Sequence, residues 1–255
     1  MFFKDKVFEL FEKELHNRDL YIKSKVEDDT YIVPVNGIEL NIYLGNVRRD
    51  YKRDKDSKII ETFVDNITKT VPDISNFECI RDNIRFSLES CEFEKDDYIS
   101  ENISETVSKV IVFVSDEERL ISWVNKSQLS EWKIEKDELS RIADDNMSKL
   151  LDEFDIEVKD INGMRLAMFP LKKVAFKASL ITCSKFKDKL SSVLGWPVLT
   201  VIPARDFIYS FSVKDKDLLT MVGGVVVKEF SESAYPITKE VLLISDKGIE
   251  AVGTY

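Results

Sequence analysis

Three short turn signals divide this chain more decisively than any other feature. Asn36-Gly37, Asn162-Gly163 and Asp246-Lys247-Gly248 each stand between two stretches that alternate apolar and polar residues. Asn-Gly favours the left-handed backbone of a tight hairpin, and alternation with period two buries one face of a strand. Adjacent strands joined this way must run antiparallel. A chain built from such pairs cannot be a doubly wound parallel sheet, whose strands need long crossovers.

The remaining elements follow from periodicity. Residues 2–16 place Phe3, Val7, Phe8, Leu10, Phe11 and Leu15 on one side of a helix. Leu20–Val26, Tyr31–Val35 and Ile38–Leu44 read as a meander, turned first at Glu27-Asp28-Asp29 and then at Asn36-Gly37. Asn46 is placed to cap one long helix that begins at Val47 and ends before Pro72. This first unit is αβββα over residues 1–75. Residues 77–91 fit strand or helix, with strand favoured for part of them, and the acid-rich stretch 92–106 reads as a loop.

Residues 76–255 form the second region. Val107–Val114 and Leu120–Val124 pair around Asp116-Glu117-Glu118, a helix spans Glu135–Leu151, and Phe154–Val158 pairs with Met164–Phe169. Lys185–Leu194 is helical and stops at Gly195. Val198–Ile202 and Phe207–Val213 flank Pro203-Ala204-Arg205-Asp206, Asp217–Phe230 is helical, and Val241–Ser245 pairs with Ile249–Val252. Residues 107–169 and 198–253 therefore share one order, strand-strand-helix-strand-strand. That order suggests two similar ββαββ halves, with bounds 76–170 and 171–255. The expected class is α+β: mixed or antiparallel sheets of hairpins with helices packed on one face.

Three segments carry a resemblance to a known family. They are Arg141-Ile142-Ala143-Asp144-Asp145-Asn146-Met147, Val201-Ile202-Pro203-Ala204-Arg205-Asp206-Phe207 and Tyr235-Pro236-Ile237-Thr238-Lys239-Glu240-Val241. Their Ala-x-x-Asn helix and Pro-x-x-Asp stretch resemble the YtpQ-like family of uncharacterised bacterial proteins, over roughly the C-terminal two thirds. The resemblance implies a mixed α/β cytoplasmic bacterial protein and no particular activity.

The side chains themselves exclude much chemistry. His16 is the only histidine, so a histidine-rich metal site is out of reach. The three cysteines, Cys79, Cys91 and Cys183, are widely spaced and fit unpaired thiols in a reducing compartment. Neither a Gly-rich phosphate loop nor a nucleophile elbow occurs. Asp29, Glu39 and Asn41 imitate the order of a nuclease motif, but an asparagine stands where a lysine is needed. No catalytic residue, cofactor or metal is assigned. Gly223-Gly224, inside an apolar run, reads as a close-packing point in a helix. With 37 Lys+Arg against 47 Asp+Glu, the net charge disfavours nucleic acid as a partner without excluding one local basic face. No apolar run is long enough to cross a membrane, and acids interrupt the N-terminal residues where a signal peptide would be apolar. Both point to the cytoplasm.

Two places remain for binding. The first is the turn holding Arg205 and Asp206, with Tyr209 on the strand beyond. The planar fork of Arg205 suits an anion or a peptide carboxylate, or else Arg205 pairs locally while Asp206 caps backbone groups. The second is the lysine-rich stretch Lys172, Lys173, Lys177, Lys185, Lys187 and Lys189, which contains only Asp188 as an acid. Trp123, Trp132 and Trp196 serve as apolar anchors in the core or at an interface. The expected function is a non-catalytic protein-interaction module. Its alternatives are a metal-dependent enzyme acting on nucleic acid or nucleotide phosphates, and an immunity or defence component that binds one cognate protein. The oligomeric state is left open.

Overall fold

The computed structural model describes residues 5–27, 29–115, 118, 120–169 and 174–255. Expectations placed on residues 2–4, on Asp28, on Asp116-Glu117 and on Lys172-Lys173 lie outside these. The chain divides into two compact units, Met1–Ile80 and Arg81–Tyr255.

The first unit holds α1 (Lys6–His16), β1 (Ser24–Glu27), β2 (Thr30–Val35), β3 (Ile38–Tyr43), α2 (Gly45–Asp54), α3 (Lys58–Thr70) and the single turn α4 (Phe77–Ile80). Asp5 caps α1 by accepting from the amides of Val7 and Phe8. Asn36 and Gly37 both take positive φ, +50° and +85°, the type I′ pattern that the Asn-Gly pair favours. Val35 thereby lies opposite Ile38, and Val33 opposite Leu40. Phe11 of α1 packs against Tyr31 of β2 and Phe63 of α3, with ring centroids 6.4 and 6.3 Å apart.

The expected single helix from Val47 is two helices. Lys55 closes α2 in the left-handed conformation, at φ +50°, and the Asp56 carboxylate accepts from the Lys58 amide to open α3. In α2 only Val47 is buried, so little apolar surface holds the helix on course until Ile60. Asn46 is also not the cap. The helix already starts at Gly45, with Leu44 at the capping position.

The second unit begins with a 3₁₀ turn, Arg81–Asn83, and β4 (Ile84–Ser90), so residues 77–91 are helical turns followed by a strand. Its first sheet is centred on β6 (Val107–Val114). β4 lines one edge of β6, and β5 (Ser100–Asn102) and β7 (Ile121–Trp123) share the other. After α5 (Lys126–Trp132) and α6 (Lys136–Asp152) come β8 (Glu157–Ile161) and β9 (Met164–Met168). A 3₁₀ segment (Lys177–Thr182), α7 (Phe186–Leu194), β10 (Val198–Val201), β11 (Tyr209–Ser212), α8 (Asp217–Glu232), β12 (Glu240–Ser245) and β13 (Gly248–Thr254) complete the unit.

The second sheet runs β13-β12-β10-β11-β9-β8, antiparallel throughout. The α+β class with antiparallel hairpin sheets therefore holds. The two ββαββ runs part company, however. Residues 198–253 stay within one sheet, whereas the run 107–169 leaves β6–β7 in the first sheet and adds β8–β9 beside β11. Leu218, Val222 and Val226 of α8 close one face of the second sheet over Leu166, Leu199, Val201, Phe211 and Val241. Among the described residues no helix is long and apolar enough to cross a membrane.

Candidate interaction surface

The Pro203–Asp206 turn does not present its arginine to solvent. The Arg205 amide donates to the Tyr235 carbonyl at 3.2 Å, the Ile237 amide to the Pro203 carbonyl at 2.9 Å, and the Ala178 amide to the Arg205 carbonyl at 2.8 Å. Held on both sides, the Arg205 side chain points inward and is 19% exposed. Its Nη2 meets Glu89 Oε2 of β4 at 2.5 Å, and the Glu89 side chain is 6% exposed. The other Glu89 oxygen accepts from Ser87 Oγ at 2.5 Å and from Trp123 Nε1 at 3.2 Å. The guanidinium carbon lies 5.7, 5.1 and 4.6 Å from the ring centroids of Trp123, Phe176 and Tyr235.

Of the two readings of this turn, Arg205 follows the paired one, with a partner distant in the chain in place of a local one. Arg205 is an internal fastener, its charge matched by Glu89 and its faces covered by aromatic rings. The acid comes from a residue 116 positions earlier in the chain, so local sequence could not name it. Asp206 is exposed beside the turn. Tyr209 is half-buried against Phe207, ring centroids 4.2 Å apart. Burial, and then the charges of Glu229 and Glu157, push its hydroxyl above the usual tyrosine range.

The lysine face is likewise largely matched from elsewhere. Lys185 pairs with Asp152 at 2.5 Å and Lys187 with Asp246 at 2.7 Å. Asp246 also accepts from Trp196 Nε1 at 3.0 Å, and these contacts hold its carboxyl below the usual range. Lys177 is half-buried and donates to the Phe169 carbonyl at 3.1 Å. Burial lowers its pKa, against the opposing pull of Asp206. Lys172 and Lys173 lie outside the described residues. What remains is an open groove of about 400 Å³ lined by Asp152, Ile156, Lys185, Asp188, Lys189, Ser192 and Val193. It mixes both charge signs and offers no net basic face.

The surface that sequence reasoning missed is the outer side of α8. Met221 and Val225, one turn apart, stand 48 and 39% exposed, and Val227, on the other flank, 45%. The signal was present, because Leu218 to Val227 contains no charged residue. A helix apolar on all sides is ordinarily buried on all sides. Here the sheet covers only one of them. The two glycines of the run also differ. A Cβ at Gly223 would stand 2.9 Å from the Tyr255 ring, which is fixed by a 2.7 Å hydrogen bond from its hydroxyl to the Leu219 carbonyl. A Cβ at Gly224 would meet nothing within 4 Å among the described residues.

No protein-family model, curated protein or solved structure matches this chain. Two of the motif segments meet at the Arg205 turn, where Ala204 bridges to Pro236. In the third, Asn146 donates to the carbonyls of Arg81 and Ile84 at 2.8 and 3.0 Å, tying α6 to the start of β4. Each of these contacts does structural work. Among the described residues, no group of three or more His, Cys, Asp or Glu side chains is placed to hold a metal ion.

Proposed function

We propose that this chain is a protein-interaction module and that its contact face is the outer side of α8. The observation that supports this is an apolar flank beside the buried stripe of the helix, where Met221 and Val225, one turn apart, stand 48 and 39% exposed. Fully burying such a side chain is worth about 1.5–3 kcal/mol, so covering these two half-exposed ones contributes about 2 kcal/mol. The lysine face offers less. Its ion pairs are exposed, and solvent screening leaves them little net value. Arg205 is committed to Glu89 and is not free for a ligand.

The test is affinity capture from cells that make the protein, comparing the wild-type chain with Met221→Glu. A charge placed at an exposed helix position leaves the fold intact, which matching thermal melts would verify. The expected result is a stoichiometric protein partner recovered by the wild type and lost by the variant. Equal recovery by both, or no partner for either together with no self-association of the chain, would overturn the reading.

A further inference from the structure

We infer that the occupant of this face is a second copy of the chain, with the two α8 helices packed antiparallel about a two-fold axis between Val222 and Gly223. The inference rests on the reading of α8 as the contact face and adds the identity and orientation of what covers it. Asp217, Met221, Gly224 and Lys228 follow one another at intervals of four, three and four. That spacing places them along one seam of a helix. A two-fold contact must be self-complementary, each residue meeting its mirror position.

About this axis, Asp217 meets Lys228 of the second copy, Met221 meets Gly224, and Thr220 meets Val225. Each pairing occurs twice. The ends of the seam carry opposite charges, so only the antiparallel arrangement joins unlike ones, while a parallel arrangement would set Asp217 against its own copy. Asp217 makes no ion pair among the described residues, and Lys228 has only a loose 3.9 Å contact with Glu232. The seam's charges are therefore available.

Gly224 supplies the second part of the argument. Glycine is the costliest residue in a helix interior after proline. Gly223 is accounted for by Tyr255, which occupies the space that a Cβ would fill. Nothing among the described residues accounts for Gly224. Its missing side chain leaves a notch where another backbone can approach closely. Met221 is the flexible, unbranched side chain suited to fill that notch in the second copy.

Sedimentation velocity on the full chain, across micromolar concentrations, tests the inference. The wild type is expected to pass reversibly from monomer to dimer. Gly224→Gln, which fills the notch, is expected to weaken the dimer about tenfold or more. Asp217→Lys and Lys228→Asp are each expected to weaken it about tenfold, because like charges then meet at both ends. An equimolar mixture of those two variants restores unlike pairs at both ends and should dimerise like the wild type. Recovery in the mixture also shows that both variants are folded. A wild type that stays monomeric at every concentration, a dimer indifferent to all three substitutions, or a mixture that is not rescued would each overturn the inference. If a different protein is captured and lost with Met221→Glu while the chain sediments as a monomer, the α8 reading stands and the second copy falls. If neither association occurs, both fall.

Discussion

Replacing Arg205 with Met isolates what the aromatic-lined ion pair does for the second unit. The substitution keeps an apolar side chain between Trp123, Phe176 and Tyr235 but removes the cation facing Glu89. Glu89, 6% exposed in the wild type, then keeps Ser87 and Trp123 as its side-chain donors among the described residues. Removing one partner of a buried pair costs about 3–5 kcal/mol. Two hydrogen bonds survive on Glu89, so the loss falls toward about 3 kcal/mol. For a unit of this size that lowers Tm by about 6–12 °C. Glu89→Leu leaves the cation instead, but the rings still face it and its side chain is 19% exposed, so about 2 kcal/mol is expected. The double variant Glu89→Leu/Arg205→Met removes both charges and should lose far less than the two single losses combined, giving a coupling of at least about 2 kcal/mol. All three tryptophans lie in the second unit. Denaturant unfolding followed by tryptophan fluorescence therefore reports that unit alone. Single variants within about 0.5 kcal/mol of the wild type, or an additive double variant, would refute the reasoning.

Other consequences can be checked directly. In dilute monomer, Gly224→Ala should raise stability by about 0.4–1 kcal/mol, since its Cβ enters open space, while Gly223→Ala should lower it by displacing Tyr255; thermal melts of the pair should move in opposite directions. Burial pushes the Cys183 thiol up to about 12, with Asp144 adding to the effect, while Cys79 and Cys91 are exposed. A thiol reagent at mildly alkaline pH should titrate two thiols in the native protein and the third only after denaturation. Burial lowers Lys177 while its bond to Asp152 raises Lys185. NMR titration of methylated lysines should therefore show Lys177 losing its proton at lower pH than Lys185. By linkage, the lowered Lys177 favours the folded state more as pH rises from its folded pKa toward the usual lysine value, and the raised Lys185 favours it less as pH rises through its own folded pKa.

Much of the architecture was legible because it is encoded over short distances. A two-residue turn such as Asn36-Gly37 needs only its own backbone preference, and the alternation beside it decides which side of each strand is buried. The helices at Glu135–Leu151 and Lys185–Leu194 were readable for the same reason, because their apolar stripes repeat within a turn or two. The break at Lys55 was not. It depends on how little apolar surface α2 can bury, which only the packed unit reveals. The division of residues 107–169 between two sheets was equally hidden, since hairpin signals specify partners within a pair and not which pairs share a sheet.

The candidate surfaces divide along the same line. Sequence alone singled out an arginine in a turn and a row of lysines as binding candidates, and an apolar run with two glycines as a packing point. Tertiary structure decided their states. It brought Glu89 to Arg205, Asp152 to Lys185 and Asp246 to Lys187, and it left one face of α8 uncovered. The physical reason is range. Backbone preference and periodicity act over a few residues, whereas desolvation and charge pairing depend on whatever the fold places within a few ångströms, however distant in the chain.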